Sequence, residues 1–198
     1  MAPKSIPTVP NQQTAESEVV QLHEQHSASL FRYASSLADC PETARDAVQE
    51  AFLRFFVERS YGREIANPRA WLYQVLRNYI SDRTNAASSQ REVGGENVDA
   101  MVDGGQNPET LAQRSQIARE IAASLSAREL ECLQLRTEGL SYSEIGIALD
   151  LRTGTVGALL SRVHEKIRRR AGDDSSQAQA LAEALNHLVR GGEICTQS

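Results

Sequence analysis

The side chains with chemistry to offer in this 198-residue chain are basic and hydroxylic rather than catalytic. Arg152, Arg162, Lys166, Arg168, Arg169 and Arg170 crowd into one stretch near the carboxyl end, among Thr153, Thr155 and Ser161. Val156, Leu160, Val163 and Ile167 recur there at helical spacing, so Arg152, Thr153, Thr155, Ala158, Ser161, Arg162 and Lys166 are the candidates for an outward face. Cations and hydroxyls in that arrangement suit phosphate oxygens and base edges, although cations also favour any helix carboxyl end. Nothing comparable supports catalysis. The 4 histidines lie at unrelated spacings, there is no Walker phosphate loop, and Cys40, Cys132 and Cys195 match no metal-ligand spacing or disulfide framework. The expectation is a non-enzyme without cofactor or metal.

The formal net charge of −5 argues against a nucleic-acid partner until its distribution is examined. Glu92, Glu96, Asp99, Asp103 and Glu109 face only Arg91 in the middle of the chain, and Asp173, Asp174, Glu183 and Glu193 face only Arg190 at its end. The stretch between them carries the basic excess. No run of apolar residues is long enough to span a membrane and no export signal opens the chain, so a cytoplasmic protein without membrane insertion is expected.

The elements that must position the basic face are unusually well marked. Ser126-Ala127-Arg128-Glu129 is a capping box flanked by Leu125 and Leu130, and Ser141-Tyr142-Ser143-Glu144 repeats the device between Leu140 and Ile145. Gly139 stands where the helix before the second box needs a left-handed terminator. A tight turn after Leu149-Asp150-Leu151 then leads into the basic helix. The pattern is a helix-turn-helix, with the amino-terminal half of its last helix placed to enter a major groove.

Upstream, residues 1–17 read as a disordered arm. Leu22, His26, Leu30, Tyr33 and Leu37 mark a first helix ending near Cys40, where Pro41 forces a break. Ala44, Ala47, Val48, Ala51, Phe52 and Phe55 mark a second, which stops near Ser60 and leaves Asp46, Gln49, Glu50 and Arg54 on other surfaces. Asn67-Pro68 caps a third, with Trp71, Leu72, Val75, Leu76, Tyr79 and Ile80 inward and Arg69, Gln74, Arg77, Asn78 and Arg83 outward. Residues 18–85 therefore form one domain, 86–108 a flexible acidic linker, and 109–171 the helix-turn-helix domain, with Leu111, Ile117 and Ile121 on the inward side of its leading helix. An extension, 172–198, carries one short stripe, Leu181, Leu185 and Leu188. The fold class is all-α, as two small helical domains joined by a flexible linker.

The string LSARELECLQLRTEGLSYSEIGIALDLRTGTVGALLSRVHEKIRR resembles region 4 of sigma factors of the extracytoplasmic function (ECF) group, and also the DNA-binding domain of LuxR-type activators. ARDAVQEAFLRFF resembles sigma region 2.2, and NPRAWLYQVLRNYISDR resembles regions 2.3 and 2.4. Together they cover most of 22–170. The resemblance implies a sigma factor that binds RNA polymerase core through the beta-prime clamp and beta flap, melts promoter DNA with its first domain and reads the minus-35 element with its second. An anti-sigma protein is left open as a further partner, and a LuxR-like activator is the alternative function. Carried over residue by residue, Asp46, Gln49 and Glu50 fall at the core-binding position. The loop 60–66 falls at the pocket for a flipped minus-10 base, with Arg63, Arg69, Arg77, Asn78 and Arg83 as minus-10 contacts. Trp71 is expected in the core rather than on DNA. Arg152, Gly157 and Leu159 depart from the family pattern of the reading helix, and a weak or unusual minus-35 contact is the expectation. The extension is expected to cap the second domain, the alternative being a contact that holds the DNA-binding surface closed.

Overall fold

The computed structural model describes residues 12–88, 108–172 and 174–190, with side chains omitted at a few helix ends. Every regular element among them is an α-helix: α1 (Gln12–Ser35), α2 (Pro41–Ser60), α3 (Pro68–Ser88), α4 (Pro108–Ser124), α5 (Ala127–Thr137), α6 (Tyr142–Leu149), α7 (Thr153–Ala171) and α8 (Ser175–Arg190). The expected linker falls largely on residues outside the described set, as do 1–11 and 191–198.

In the first domain, α2 starts with Pro41 at its first position and Glu42 in its first turn, where proline lacks no needed donor and a carboxylate meets the positive helix end. The Asn67 side chain accepts a 3.0 Å hydrogen bond from the Ala70 amide and so caps α3. Leu30, Tyr33, Ala44, Ala51, Phe55, Leu72, Tyr73 and Leu76 fill the space between the three helices. α1 begins at Gln12, earlier than the expected arm boundary. Ala15 is buried and Glu18 bonds Arg59 at 2.7 Å, which gives this end partners that a local reading of Pro, Gln and Thr does not reveal.

Both capping boxes form. The Ser126 hydroxyl accepts from the Glu129 amide while Glu129 takes the Ser126 amide at 2.8 Å, and Ser141 with Glu144 repeats the arrangement at 2.8 Å. Gly139 has φ +81, and the Leu140 amide bonds the Leu135 carbonyl at 3.2 Å, closing α5 in a Schellman turn. The turn into α7 is tighter still. Asp150 is left-handed at φ 54, and the Leu151 amide reaches back to the Gly146 carbonyl at 2.8 Å.

The two small helical domains pack against each other. A continuous apolar cluster runs from Leu30, Phe55 and Leu72 of the first domain into Cys132, Leu135, Leu140, Ile145 and Leu149 of the second, with α6 lying against α3. A second cluster, Ala118, Ile121, Leu130, Val163, Ile167, Leu181, Leu185 and Leu188, fills the space between α4, α5, α7 and α8. The α8 stripe is thus seated on the helix-turn-helix domain.

Candidate polymerase and nucleic-acid surfaces

On α2 the period of the buried stripe leaves Asp46 and Gln49 exposed and Glu50 half-buried, bonded to Arg54 at 2.7 Å. Leu53, 57% exposed, and Val57, 40% exposed, continue the same face one and two turns on. An apolar pair left in water beside a polar patch is the composition of a protein-binding surface. Leu53 is legible in the sequence, because it stands off the stripe Val48, Ala51, Phe52 and Phe55.

The loop between α2 and α3 lines an open cavity of about 370 Å³ with Glu58, Arg63, Glu64, Ile65, Ala66, Asn67 and Trp71. Trp71 is half-buried and meets Phe55 edge-on at 5.8 Å, so it packs on the core with one side and faces the cavity with another. The remaining wall comes from Ile147 of α6. The second domain therefore stands at the rim of the first domain's cavity.

The arginines of this loop and of α3 already have partners. Arg63 is held by Glu58 at 2.7 Å, and Arg83 donates to the Tyr79 hydroxyl at 2.7 Å and approaches Asp46 at 3.7 Å. Arg69 and Arg77 instead cross to the second domain. Arg69 donates to the Glu138 carbonyl at 2.6 Å and the Gly139 carbonyl at 3.2 Å, capping the carboxyl end of α5, and Arg77 bonds Glu131 at 3.2 Å. Asn78 is exposed. The sequence places these five residues on one helix and its leading loop, and the structure keeps them together, but two are committed to α5.

On α7 the reading face is open. Arg152, Thr153, Thr155, Ala158, Ser161 and Arg162 are exposed, and Arg152 occupies the N-cap position without a side-chain hydrogen bond of its own. Gly157 is half-buried beside the Tyr142 ring. Leu159 is buried in the cluster shared by the domains, so it packs inside the protein and takes no place on the reading face that a basic residue could have filled. Lys166 is also drawn inward. Its ammonium donates to the Ser124 carbonyl at 2.7 Å and to Glu129 at 2.8 Å, tying α7 to the first capping box. Although burial works against it, hydrogen bonds from Lys166 and Ser126 hold the Glu129 carboxyl below the usual carboxylate range. Glu144 is likewise lowered against burial, by hydrogen bonds from Ser141 and the charge of Arg69.

Comparison with known proteins finds both halves of the chain in known families. The model of sigma-70 region 2 matches residues 22–90, and that of the LuxR family of bacterial regulatory proteins matches 123–171. The ECF RNA polymerase sigma factor SigE of Mycolicibacterium smegmatis is 28% identical over 172 residues, 82% of this chain and 65% of its own, so the chain spans just under two thirds of that relative. SigL of Mycobacterium tuberculosis, also an ECF RNA polymerase sigma factor, is 31% identical over 150 residues, 74% of this chain and 83% of its own. The solved structure of CnrH in complex with the cytosolic domain of CnrY shares the fold, with a TM-score of 0.52 at 21% identity over 83% of this chain and 96% of that one. The helix-turn-helix alone is common to activators and sigma factors, but the region 2 domain ahead of it and the extent of the SigL match are not; the chain belongs to the ECF sigma factor family.

Proposed function

We propose that this protein binds RNA polymerase core through α2 and directs transcription initiation at promoters read by both domains, performing no chemistry itself. The observation that carries the reading is the α2 face on which exposed Leu53 and Val57 extend the polar patch of Asp46, Gln49 and Glu50. A sigma subunit needs such a face; a stand-alone activator does not. In this reading the beta-prime clamp takes the α2 face and the beta flap takes the second domain. The cavity edged by Ile65 and Trp71 receives an unstacked minus-10 base, with Arg63 at its wall and Arg69, Arg77, Asn78 and Arg83 along α3 for the adjoining DNA. Unstacking costs a few kcal/mol per step, so both the pocket and the cations are required. Arg152, Thr153, Thr155, Ala158, Ser161 and Arg162 meet the minus-35 major groove, and Lys166 supports them from behind. Joining modest contacts in one chain raises the overall affinity through effective concentration.

Purified protein with core polymerase and host promoter DNA tests the reading: promoter-specific transcripts from core plus this protein are expected. Duplex binding without any such transcript would instead establish a LuxR-like activator, the alternative favoured by the family match of the second half alone. An anti-sigma protein is proposed as a further partner, because the fold is shared with CnrH, whose solved structure is a complex with the cytosolic domain of another protein.

A further inference from the structure

Glu138 is a charged residue at the junction of three parts of the chain, and its side chain is only 4% exposed. Arg32 of α1 clasps its carboxylate with both nitrogens, at 3.1 and 2.6 Å. Arg69 of α3 takes its backbone carbonyl at 2.6 Å. From the extension, Arg190 at the last turn of α8 donates to the neighbouring Thr137 carbonyl at 3.1 Å and approaches the Glu138 carboxylate at 4.0 Å. Val189 and Arg190 share a narrow crevice with Arg32, Tyr33 and Ser36 of α1. The last turn of α8 is therefore bonded to the end of α5 and borders α1 at the point where the two domains meet.

We propose that α8 is an intramolecular latch which, through Arg190 and Glu138, holds the second domain over the promoter-melting face of the first and so keeps the free chain in an inactive, closed form. The shut state is specific: Ile147 walls the cavity, while Arg69 and Arg77 are occupied by α5. It is also built to open. The Tyr33 hydroxyl and the Arg69 Nε are buried there without hydrogen-bond partners. An unmet polar group costs free energy that hydration on opening returns, so this junction is weaker than an obligate core of the same area. The leucines of α8 rest on α4, α5 and α7, so truncating the exposed Arg190 side chain alone weakens the latch without uncovering a core. The latch adds regulation to the proposed function, and its opening can be measured without polymerase.

Cys132 provides the readout. It is fully buried in the cluster shared by the domains, within electrostatic reach of Tyr33, and burial pushes its thiol up to about 11. Alkylation of the full chain by iodoacetamide, followed by peptide mapping that separates Cys132 from Cys40 and Cys195, measures how often the junction opens. Glu138→Gln is expected to raise the Cys132 rate about tenfold and Arg190→Ala severalfold, as loss of charge-assisted hydrogen bonds implies. Arg45→Ala, which removes only an exposed pair with Glu42, should leave it unchanged. Circular dichroism melts of the same proteins should stay close to the wild-type midpoint. Wild-type labelling rates in both latch variants would overturn the proposal. So would a rise with the same denaturant dependence as unfolding of the whole chain, because the thiol would then report stability and not the latch.

Discussion

The two surfaces proposed to meet DNA are in opposite states. On α3 and its leading loop, Arg63, Arg69, Arg77 and Arg83 all have protein partners. On α7, Arg152 and Arg162 are exposed and, among the described residues, neither is engaged in an ion pair. The same residue type serves in one place as interdomain mortar and in the other as a free cation. The contrast teaches that arginine on an outward helix face is a candidate for DNA only until the neighbouring domain is placed, and that the helix-turn-helix is the half of this chain already prepared for duplex DNA.

The strongest attempt to break that comparison is Arg162→Glu. If α7 is the open surface, reversing this exposed charge should lower affinity for promoter duplex by about a hundredfold in a fluorescence anisotropy titration, since an attraction to DNA is replaced by a repulsion. A change of less than twofold would remove α7 from the interface. Next in size is the α2 face: Leu53→Asp should weaken core polymerase binding roughly tenfold or more, by the transfer free energy of one leucine, with Asp46→Lys acting in the same direction. Both are read by competition for core, and neither should alter duplex binding.

Smaller effects sharpen the description of the covered surface. Arg77→Glu and Glu131→Arg should each increase the interdomain distance distribution in small-angle scattering, while the double exchange restores the closed profile, because the 3.2 Å pair is reformed with its charges swapped. The mildest prediction concerns acid. Glu129 and Glu144 have folded-state values below the ordinary 4.5, so their contribution is present above that value and fades as pH falls through the lower ones. Urea midpoints of the full chain should therefore drop between pH about 5 and 3. Glu144→Gln should shrink that drop.

What the sequence disclosed and what it withheld divide along physical lines. Both capping boxes and the Gly139 terminator are legible because their partners lie within a few residues. The α2, α3 and α7 stripes follow from periodicity, and so does the seat of Leu181, Leu185 and Leu188 on the second domain. Docking of α6 on α3 is not legible, because Leu140, Ile145 and Leu149 are as apolar as a self-contained helix-turn-helix requires; nothing in their spacing shows that they also serve a neighbour. Leu159 is misplaced when its position is compared with the family pattern, whereas the helical period, which runs Val156, Leu159, Leu160, Val163, sends it inward. The engagement of Lys166 with Glu129 across 37 residues, and the convergence of arginines on Glu138, are tertiary facts with no local signature.

The turn between α6 and α7 carries a consequence of another kind. A Cβ on Gly146 would stand 2.7 Å from the Leu151 carbonyl oxygen, a backbone atom with nowhere to retreat. The smallest side chain would therefore act as a wedge, costing about 1–3 kcal/mol by overpacking and tilting α7 against α6. Under the proposed function, the attitude from which α7 meets a groove then depends on an omitted methyl group, and base preference acquires a determinant that touches no base.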